Sequence, residues 1–280
     1  DRDDVSVYVM RYQGHIVASA WLVKEGGLDD ELAAEIYAGN RRLKGHLLPQ
    51  SLLSHAGVAR AGKLKYQRVI RIATHPLLQK KGIAKTLLSH IIEQEDCDLL
   101  GASFSASSDV INFWSQSGLS VARLGIHKDD VSGRHAVMML KAMSSSGLKA
   151  LIAAKQRFQH QWFYLLNSQF SKIESSLVIQ ISQLFDSGQE HFFPDNEQEI
   201  RAFAYEQRGY DFSQVALWHY LKVVICQEIF LKLTQQQQYL CVEIVLQQHS
   251  WAEVSKRLGY TGKAQVINAL RESIELLLVG

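Results

Sequence analysis

Cysteine is scarce in this sequence of 280 residues. Cys97, Cys226 and Cys241 lie far apart, and no two of them form a Cys-x-x-Cys pair. This spacing argues against a zinc site and against a disulfide framework, and it fits a reducing compartment. We therefore expect a cytoplasmic protein that binds no metal.

Long apolar runs are also missing. The longest, Leu217–Leu233, is interrupted by polar side chains such as His219 and Lys222, which is not the pattern of a membrane span. No segment has the pattern of a secretory signal peptide. With 47% hydrophobic and 21% charged residues, the composition is typical of a globular protein with one large or two ordinary domains. We expect no membrane partner.

Acidic residues are absent between Glu35 and Glu93, although the formal net charge of the chain is only +2. The window holds eleven cations: Arg41, Arg42, Lys44, Arg60, Lys63, Lys65, Arg68, Arg71, Lys80, Lys81 and Lys85. By charge alone, a solvated basic face and a surface for a polyanion explain this block equally well. The halves of the chain differ too, with 19 basic and 15 acidic residues in 1–150 against 11 and 13 in 151–280.

The centre of the basic window has the pattern of a strand, a tight loop and a helix. β-Branched apolar residues predict a buried strand over Arg68–Thr74. His75 and Pro76 end it, because proline removes a ladder donor. Apolar residues at helical spacing then predict a helix over Gly82–Gln94.

The start of that helix has the pattern of an anion site. Gly82 and Ala84 are small, which lets a ligand approach the backbone. The free N–H groups and the dipole of a helix N-terminus favour negative charge. Lys80, Lys81 and Lys85 surround the same point. The stretch therefore predicts a cradle for a pyrophosphate.

The pattern Gln79-x-x-Gly82-x-Ala84 resembles the acetyl-CoA loop of the GNAT N-acetyltransferases. Further motifs occur in one order along the chain: Gly26-Gly27-Leu28, Gly45–Leu52, Arg71–Pro76, Ser103-Phe104, Phe113-Trp114-x-x-x-Gly118 and Gly125-x-His127-x4-Ser132-Gly133. This series resembles the tRNA(Met) cytidine acetyltransferase family, which makes N4-acetylcytidine in RNA. The resemblance is strong over the first half of the chain and general over the second.

The resemblance implies acetyl-CoA as cofactor and tRNA as partner, with N4 of the wobble cytidine of elongator tRNA(Met) as acetyl acceptor. It implies that Ile72, Ala73 and Thr74 line the acetyl and pantetheine arm. The pyrophosphate is expected on Gln79, Lys80, Lys81, Gly82, Ile83, Ala84 and Lys85, and Asp109, where the family usually has a glutamate, is expected as a further cofactor contact. Beside such a site, part of the basic block is expected to face RNA: Arg41, Arg42, Lys44, Lys63 and Lys65.

The family also has an ATP-driven, helicase-like module upstream of the acetyltransferase. This chain has no Gly-x4-Gly-Lys-Ser/Thr phosphate loop. Only Asp1–Asp4 precede the first predicted hairpin, where a GNAT domain has a strand and two helices. We therefore expect an N-terminally truncated, C-terminal piece of a longer protein, with any use of ATP residing in the module that is absent here.

The order of elements predicts an α/β GNAT-type domain with a mixed sheet, followed by an all-α domain. Residues 1–143 are expected to form the acetyltransferase domain. The Ser144–Gly147 run predicts a linker over 144–148. The segment Gly39–Lys65 is predicted to be a lid or an RNA-facing loop, or else an ordinary insertion with a helical turn at Pro49–His55.

The second half, residues 149–280, is predicted to be a helical, RNA-binding tail. Its end, residues 250–278, has the pattern of a helix-turn-helix. Because this half is mildly acidic, we expect the helix pair to pack or dock rather than to read DNA. A local patch for an RNA backbone stays open at Lys256, Arg257, Lys263 and Arg271.

No general base or acid is assigned. His46, His55, His75, His127 and His135 are candidates for the base, each more often structural than catalytic. Phe113 and Trp114 are at the spacing of core residues, with base stacking as the alternative. Other functions stay open: a GNAT enzyme for a small amine or protein, a non-catalytic RNA-binding module, or a DNA-binding regulator. A small-molecule enzyme needs neither the basic block nor a tail of domain size.

Overall fold

The computed structural model describes residues 4–185 and 194–279. The chain divides into two compact units, Asp1–Phe158 and Gln159–Gly280. Within the described ranges, no helix is both long enough and apolar enough to cross a membrane. Part of the predicted helical tail, residues 186–193, lies outside the described residues.

The first unit is built on one six-stranded sheet with the order β1-β2-β3-β4-β6-β5. Its strands are β1 (Val5–Tyr12), β2 (His15–Gly26), β3 (Lys65–Thr74), β4 (Leu99–Ser105), β5 (Ser120–Lys128) and β6 (His135–Ala142). Only β3 and β4 pair in parallel, and the other neighbours are antiparallel. The predicted mixed sheet is therefore confirmed.

Four α-helices of this unit lie between strands of the sheet. They are α1 (Asp30–Tyr37), α2 (Leu47–Gln50), α3 (Ile83–Gln94) and α4 (Ser108–Gln116). Asp29 caps α1, since its carboxylate accepts a hydrogen bond from the N–H of Leu32 at 2.8 Å. In α4 the buried side chains are Ile111 and Trp114, whereas Val110 is 36% exposed.

The predicted lid over Gly39–Lys65 is wrong for most of its length. After α2 the chain forms a π-helical turn (Ser51–His55) and a 3-10 turn (Ala59–Lys63). Leu48, Leu52 and Leu53 are fully buried in the core cluster of this unit. The alternative prediction, an insertion with a helical turn, describes the segment correctly. Its short turns place three leucine side chains in the core.

The Ser144–Gly147 run begins a helix instead of forming an extended linker. Helix α5 spans Ser145–Leu165. A Cβ on Gly147 would lie 1.9 Å from the carbonyl oxygen of Asp98, so only glycine permits this close approach to the start of β4. The division between the two compact units falls further on, between Phe158 and Gln159 inside α5.

The second unit is helical, as predicted. After α5 come α6 (Ser175–Ser182), α7 (Pro194–Tyr205), α8 (Tyr210–Val224), α9 (Gln235–Cys241), α10 (Trp251–Leu258) and α11 (Lys263–Val279). Helix α8 does not continue through the next apolar stretch, because a 3-10 turn follows at Glu228–Lys232. Aromatic side chains including Trp162, Phe203 and Phe230 are buried in this unit.

Helices α10 and α11 form the predicted helix-turn-helix pattern. Ser250 and Glu253 make a capping box at the start of α10. Gly259, with φ of +79°, ends that helix in the left-handed conformation. The turn between the helices is thus determined by local capping chemistry.

Candidate active site

A cleft opens in the middle of the sheet because β3 and β4 diverge. The two strands pair only at Tyr66–Leu99, Gln67–Leu100 and Arg68–Gly101. Beyond Arg68, β3 continues beside β2 to Thr74, and β4 continues beside β6 to Ser105. The backbone groups of β3 that face away from β2 therefore have no strand partner after Arg68.

The divergence explains why the predicted buried strand is only half buried. Tyr66, Gln67 and Val69 are buried, whereas Ile70 is 40% exposed and Ala73 is exposed. Arg71 pairs with Trp21 and Val69 with Leu22, so Ile70 is an extra residue and β3 carries a bulge. A bulge bends a strand and increases its twist, which separates β3 from its parallel neighbour.

The loop after β3 leads to a helix start that no side chain caps. Gly82 is the N-cap of α3, with φ of +81°, and no side chain accepts a hydrogen bond from its first turn. A Cβ on Gly82 would meet nothing within 4 Å, so glycine is favoured here by the backbone conformation. Lys80 also has a positive φ, +59°, which is uncommon for a non-glycine residue and typical of ligand-binding loops.

The charge around this helix start is positive and uncompensated. Lys80, Lys81 and Lys85 are exposed, and none of them forms an ion pair within residues 4–185 and 194–279. The N-terminal end of the helix dipole adds positive potential at the same point. Positive charge therefore lies at the edge of the sheet where β3 and β4 diverge, and an anion cradle at this point stays a prediction.

The predicted strand residues Ile72, Ala73 and Thr74 form the last part of β3, where it runs without a partner on the β4 side. Gln79 lies in the loop, and its side-chain amide donates a hydrogen bond to the carbonyl of Thr74 at 3.4 Å. Ile83 begins α3. The structure therefore brings the strand and loop parts of the predicted set together.

Asp109 stands apart from this loop in sequence but follows β4 directly. It is exposed in the first turn of α4, where a helix dipole favours a carboxylate. Nearby, Trp114 is 4% exposed and stacks on Phe104 with ring centroids 5.9 Å apart. Trp114 is therefore a core residue, and it is unavailable for stacking on a nucleobase.

The β5–β6 loop is hydrogen-bonded to the end of β4. Ser105 at the end of β4 donates from Oγ to Oγ of Ser132 at 3.1 Å. Asp129 shapes the loop by accepting from the backbone N–H groups of Val131 and Ser132 at 3.2 and 2.8 Å. The hydrogen bond from Ser132 is the main reason that the pKa of Asp129 lies below its ordinary value. The Ser132-Gly133 motif thus borders the cleft.

A buried ion pair, which no sequence pattern predicted, joins β2 to β3 where β3 stops pairing with β4, called here the branch point of the sheet. Glu25 on β2 has a fully buried side chain, and Arg68 donates from Nε to Oε1 of Glu25 at 2.6 Å. The other oxygen of Glu25 accepts from the N–H of Leu48 at 2.8 Å, which satisfies the start of α2. Arg68 is also the last residue of β3 that pairs with β4.

The predicted RNA-facing cations divide into paired and unpaired residues. Arg41 contacts Glu35 at 3.3 Å, and Lys63 contacts Asp30 at 2.7 Å. Arg42, Lys44 and Lys65 are exposed, and none of them forms an ion pair in the described part of the chain.

The patch considered for the helix-turn-helix is mostly engaged inside the second unit. Arg257 bonds to the carboxylate of Glu243 through Nε at 2.9 Å and Nη2 at 2.7 Å. Arg271 donates to the backbone carbonyls of Phe203 and Glu206. The ammonium of Lys263 lies 5.3 Å from the ring centroid of Trp251. Lys256 is exposed.

The histidine candidates are spread over the first unit. His46 accepts a hydrogen bond through Nδ1 from the N–H of Gly26 at 3.0 Å, and Nδ1 of His135 is 2.8 Å from the carbonyl of Gly125. Both rings therefore have structural contacts. His75 and His127 are exposed, and His55 ends the π-helical turn.

Comparison with known proteins relates the sequence of this chain to one family. A family model described as GNAT acetyltransferase 2 matches residues 84–144. A tRNA(Met) cytidine acetyltransferase (TmcA) of Nitrosococcus halophilus is 34% identical over 284 residues, covering 100% of this chain and 38% of that relative. The TmcA of Vibrio cholerae is 30% identical over 99% of this chain and 38% of its own length.

More distant relatives extend the same similarity. The TmcA of Haloferax volcanii is 27% identical over 99% of this chain and 37% of its own length. The chain thus spans little more than a third of the curated relatives it matches. Because the similarity covers the chain from end to end, the chain belongs to the tRNA(Met) cytidine acetyltransferase family.

Proposed function

We propose that this chain binds acetyl-CoA in the cleft between β3 and β4 and transfers its acetyl group to N4 of a cytidine in tRNA. The wobble cytidine of elongator tRNA(Met) is the proposed acceptor. One observation supports the cofactor site. The strands β3 and β4 diverge beside a helix start that no side chain caps, and the three lysines there form no ion pair in the described part of the chain. The acceptor is proposed from the names of the relatives.

The residues present fit such a cofactor. The backbone N–H groups at the start of α3 and Lys80, Lys81 and Lys85 are suited to hold a pyrophosphate. The backbone groups of Ile72–Thr74 that face away from β2 are available to hydrogen-bond the amides of a pantetheine arm. Acetyl-CoA, when bound, supplies an acetyl group already activated as a thioester.

The chain then contributes to the reaction mainly by holding the acetyl group and the acceptor amine in position. Two reacting groups held in alignment gain much of their rate from orientation. The bulge at Ile70 bends β3, and the buried Glu25–Arg68 pair joins β3 to β2 at the residue where pairing with β4 ends. The hydrogen bond between Ser105 and Ser132 joins the loop Asp129–Arg134 to the end of β4.

The proposal is tested by substituting Gly82 with glutamate. This change places bulk and negative charge where the pyrophosphate is proposed to lie, and we expect acetyl-CoA binding, measured by calorimetry, to weaken about tenfold or more. Transfer of radiolabelled acetyl from acetyl-CoA to bulk tRNA is expected with the wild type and lost with Gly82→Glu. Digestion to nucleosides then identifies acetylcytidine.

Gly259→Glu is the matched control. Gly259 has nearly the same φ, +79°, and a Cβ there would also meet nothing within 4 Å, but it lies in the turn after α10. Equal loss of acetyl-CoA binding in both variants would overturn the proposed cofactor site. Tight acetyl-CoA binding without any transfer to tRNA, even with the family's upstream ATPase module supplied, would favour a non-catalytic RNA-binding module.

A further inference from the structure

The second unit contains a cavity that the proposed function does not use. Its volume is about 1090 Å³, close to the upper end of the roughly 300 to 1,000 Å³ that is usual for ligand pockets. Its walls come from the segment between α5 and α6, the start of α6, the end of α9 with the turn that follows it, and α10. The cavity and the cleft between β3 and β4 thus belong to different units.

A hydrogen-bond network forms one wall of the cavity. The buried carboxylate of Glu243 accepts from Oγ of Ser175 at 3.0 Å and from Nε and Nη2 of Arg257 at 2.9 and 2.7 Å. Nη2 of Arg257 is also 2.6 Å from Nδ1 of His249, whose Nε2 is 2.6 Å from the carbonyl of Ser171. Because a carbonyl only accepts, Nε2 of His249 carries the proton and Nδ1 accepts from Arg257. The network holds the imidazole and the guanidinium in fixed orientations.

Several hydrogen-bond donors of the cavity have no partner. Nη1 of Arg257 forms no hydrogen bond in the described part of the chain, although Nε and Nη2 are both engaged. Ser175, which shares Glu243 with Arg257, is the first residue of α6, and no described side chain caps that helix. Ser176 and Lys172 also line the cavity without a hydrogen bond or an ion pair among the described residues. Helix-start N–H groups, a guanidinium and an ammonium are the groups with which proteins bind phosphate.

Gln247 contributes an acceptor that lacks a donor. Its side chain is 2% exposed, and its Nε2 donates to the carbonyls of Phe170 and Ile173 at 3.4 and 2.8 Å. Its Oε1 is buried and accepts no hydrogen bond within the described residues. A buried acceptor without a donor is unfavourable, and such a group calls for a partner. Because Gln247 lines the cavity, a ligand with an N–H group can supply that partner.

The backbone and the rings around Gln247 also suit a ligand. A π-helical turn spans Val242–Leu246, and Gln248 has a positive φ of +56°. Departures of this kind from regular helix are frequent at functional sites. Tyr239 and His249 both line the cavity, and flat side chains of this type stack on nucleobases.

We infer that this cavity binds a nucleoside monophosphate unit, and we call it the nucleotide site. The start of α6, Lys172 and Nη1 of Arg257 receive the phosphate, and Oε1 of Gln247 accepts from an N–H group of the base. The inference goes beyond the proposed function, because the acetyl-CoA cleft takes no part in it. The unit has two possible sources, a free 5′-nucleotide or one unstacked nucleotide of an RNA strand.

The test titrates cytidine, uridine and guanosine 5′-monophosphate into the full chain by calorimetry. The adenosine nucleotide is left out because acetyl-CoA itself contains an adenosine phosphate. Ser176→Glu places a carboxylate where the phosphate is assigned, while a carboxylate in the first turn favours the helix itself. We expect the wild type to bind at least one of the three nucleotides and Ser176→Glu to weaken that binding about tenfold or more.

Ala264→Glu is the matched control. Ala264 is exposed and is the second residue of α11, as Ser176 is of α6, but it does not line the cavity. We expect this variant to keep the wild-type affinity for the nucleotide. Thermal melting followed by circular dichroism verifies that both variants fold. Equal loss of nucleotide binding in the two variants would overturn the nucleotide site.

Glu174→Gln tests the sign of the charge on the ligand. Glu174 is the N-cap of α6 and lines the cavity, and its carboxylate forms no ion pair in the part of the chain that the structure describes. This negative charge opposes an anion at the helix start. We therefore expect Glu174→Gln to raise nucleotide affinity about threefold. A fall in affinity would mean that the ligand is not held through its phosphate, and the inference would fail.

Ribose 5-phosphate and inorganic phosphate test the contribution of the base. Both lack the ring that stacks and the N–H group assigned to Gln247, so we expect them to bind about tenfold more weakly than the nucleotide, or worse. If either binds as tightly as the nucleotide, the cavity holds a phosphate only and the inference is wrong.

A single-stranded RNA tetranucleotide distinguishes the two sources. If it binds and Ser176→Glu weakens this binding while free nucleotides do not bind, the site serves RNA. If free nucleotides bind and the tetranucleotide does not displace them, the site serves a free nucleotide. Both results support the nucleotide site, whereas a wild type that binds neither ligand overturns it.

Gly82→Glu separates this inference from the proposed function. We expect Gly82→Glu to weaken acetyl-CoA binding and to leave nucleotide affinity at the wild-type value, and Ser176→Glu to do the reverse. Loss of nucleotide binding in Gly82→Glu would place the nucleotide in the acetyl-CoA cleft and overturn the nucleotide site. Failure of acetyl-CoA binding in the wild type would overturn the proposed function alone.

Discussion

At the scale of single residues, Glu25 is the acid on which the branch point of the sheet depends. Its buried carboxylate joins Arg68 to the start of α2. Replacing Glu25 with alanine leaves a mostly buried guanidinium and the N–H of Leu48 without partners. We expect Glu25→Ala to lower the free energy of unfolding by about 3 kcal/mol, measured by urea denaturation.

Lys63→Ala serves as the comparison for Glu25→Ala. The Lys63–Asp30 pair is exposed, with 62% and 82% of the two side chains accessible. Exposed pairs contribute about 1 kcal/mol or less to stability, so Lys63→Ala is expected to be nearly neutral. Equal losses for the two variants would show that the Glu25–Arg68 pair does not anchor the sheet.

The residue scale also shows what a sequence can predict about this site. Gly82 and the lysines around it are close in sequence, so their pattern alone predicted the anion cradle. A buried pair such as Glu25–Arg68 has no local signal, because either charge alone has the pattern of a surface residue.

At the scale of elements, β3 pairs with both β2 and β4 in its first part and with β2 alone after Arg68. Its strand, loop and helix were predicted correctly because apolar periodicity is local. Its exposure was not predicted, because the divergence depends on where a distant strand, β4, stops pairing. The short turns between α1 and β3 were misjudged as a lid for a related reason, since turns of four or five residues are too short to show a period.

Hydrogen exchange followed by NMR can check the open half of β3. Between Ile70 and Thr74, amides directed at β2 are expected to be protected, whereas those directed at the cleft exchange about tenfold faster or more. Ala18–Val23 of β2 is the internal reference, because this stretch pairs with β1 on one side and β3 on the other. Uniform protection along β3 would mean that the strands do not diverge in solution.

At the scale of the whole molecule, each compact unit has its own buried acid. In the second unit, Glu243 is 4% exposed and accepts hydrogen bonds from Ser175 at 3.0 Å and from Arg257 at 2.7 and 2.9 Å. These partners all lie within Gln159–Gly280, whereas Glu25 and the cleft lie within Asp1–Phe158. We therefore expect the two acids to control the stability of different parts of the chain.

Hydrogen exchange of peptides from each unit tests this division. Glu243→Ala is expected to weaken protection in residues 159–279 by an amount equivalent to about 3 kcal/mol, while peptides from β2, β3 and β6 keep the wild-type rate. Acetyl-CoA affinity should be unchanged, since Ser175 and Arg257, which bond to Glu243, both lie in the second unit. Glu25→Ala is the reciprocal variant, with loss expected in the first unit only. Simultaneous loss of protection in both units after either change would show that the chain unfolds as one cooperative body, because a single two-state transition exposes all amides together.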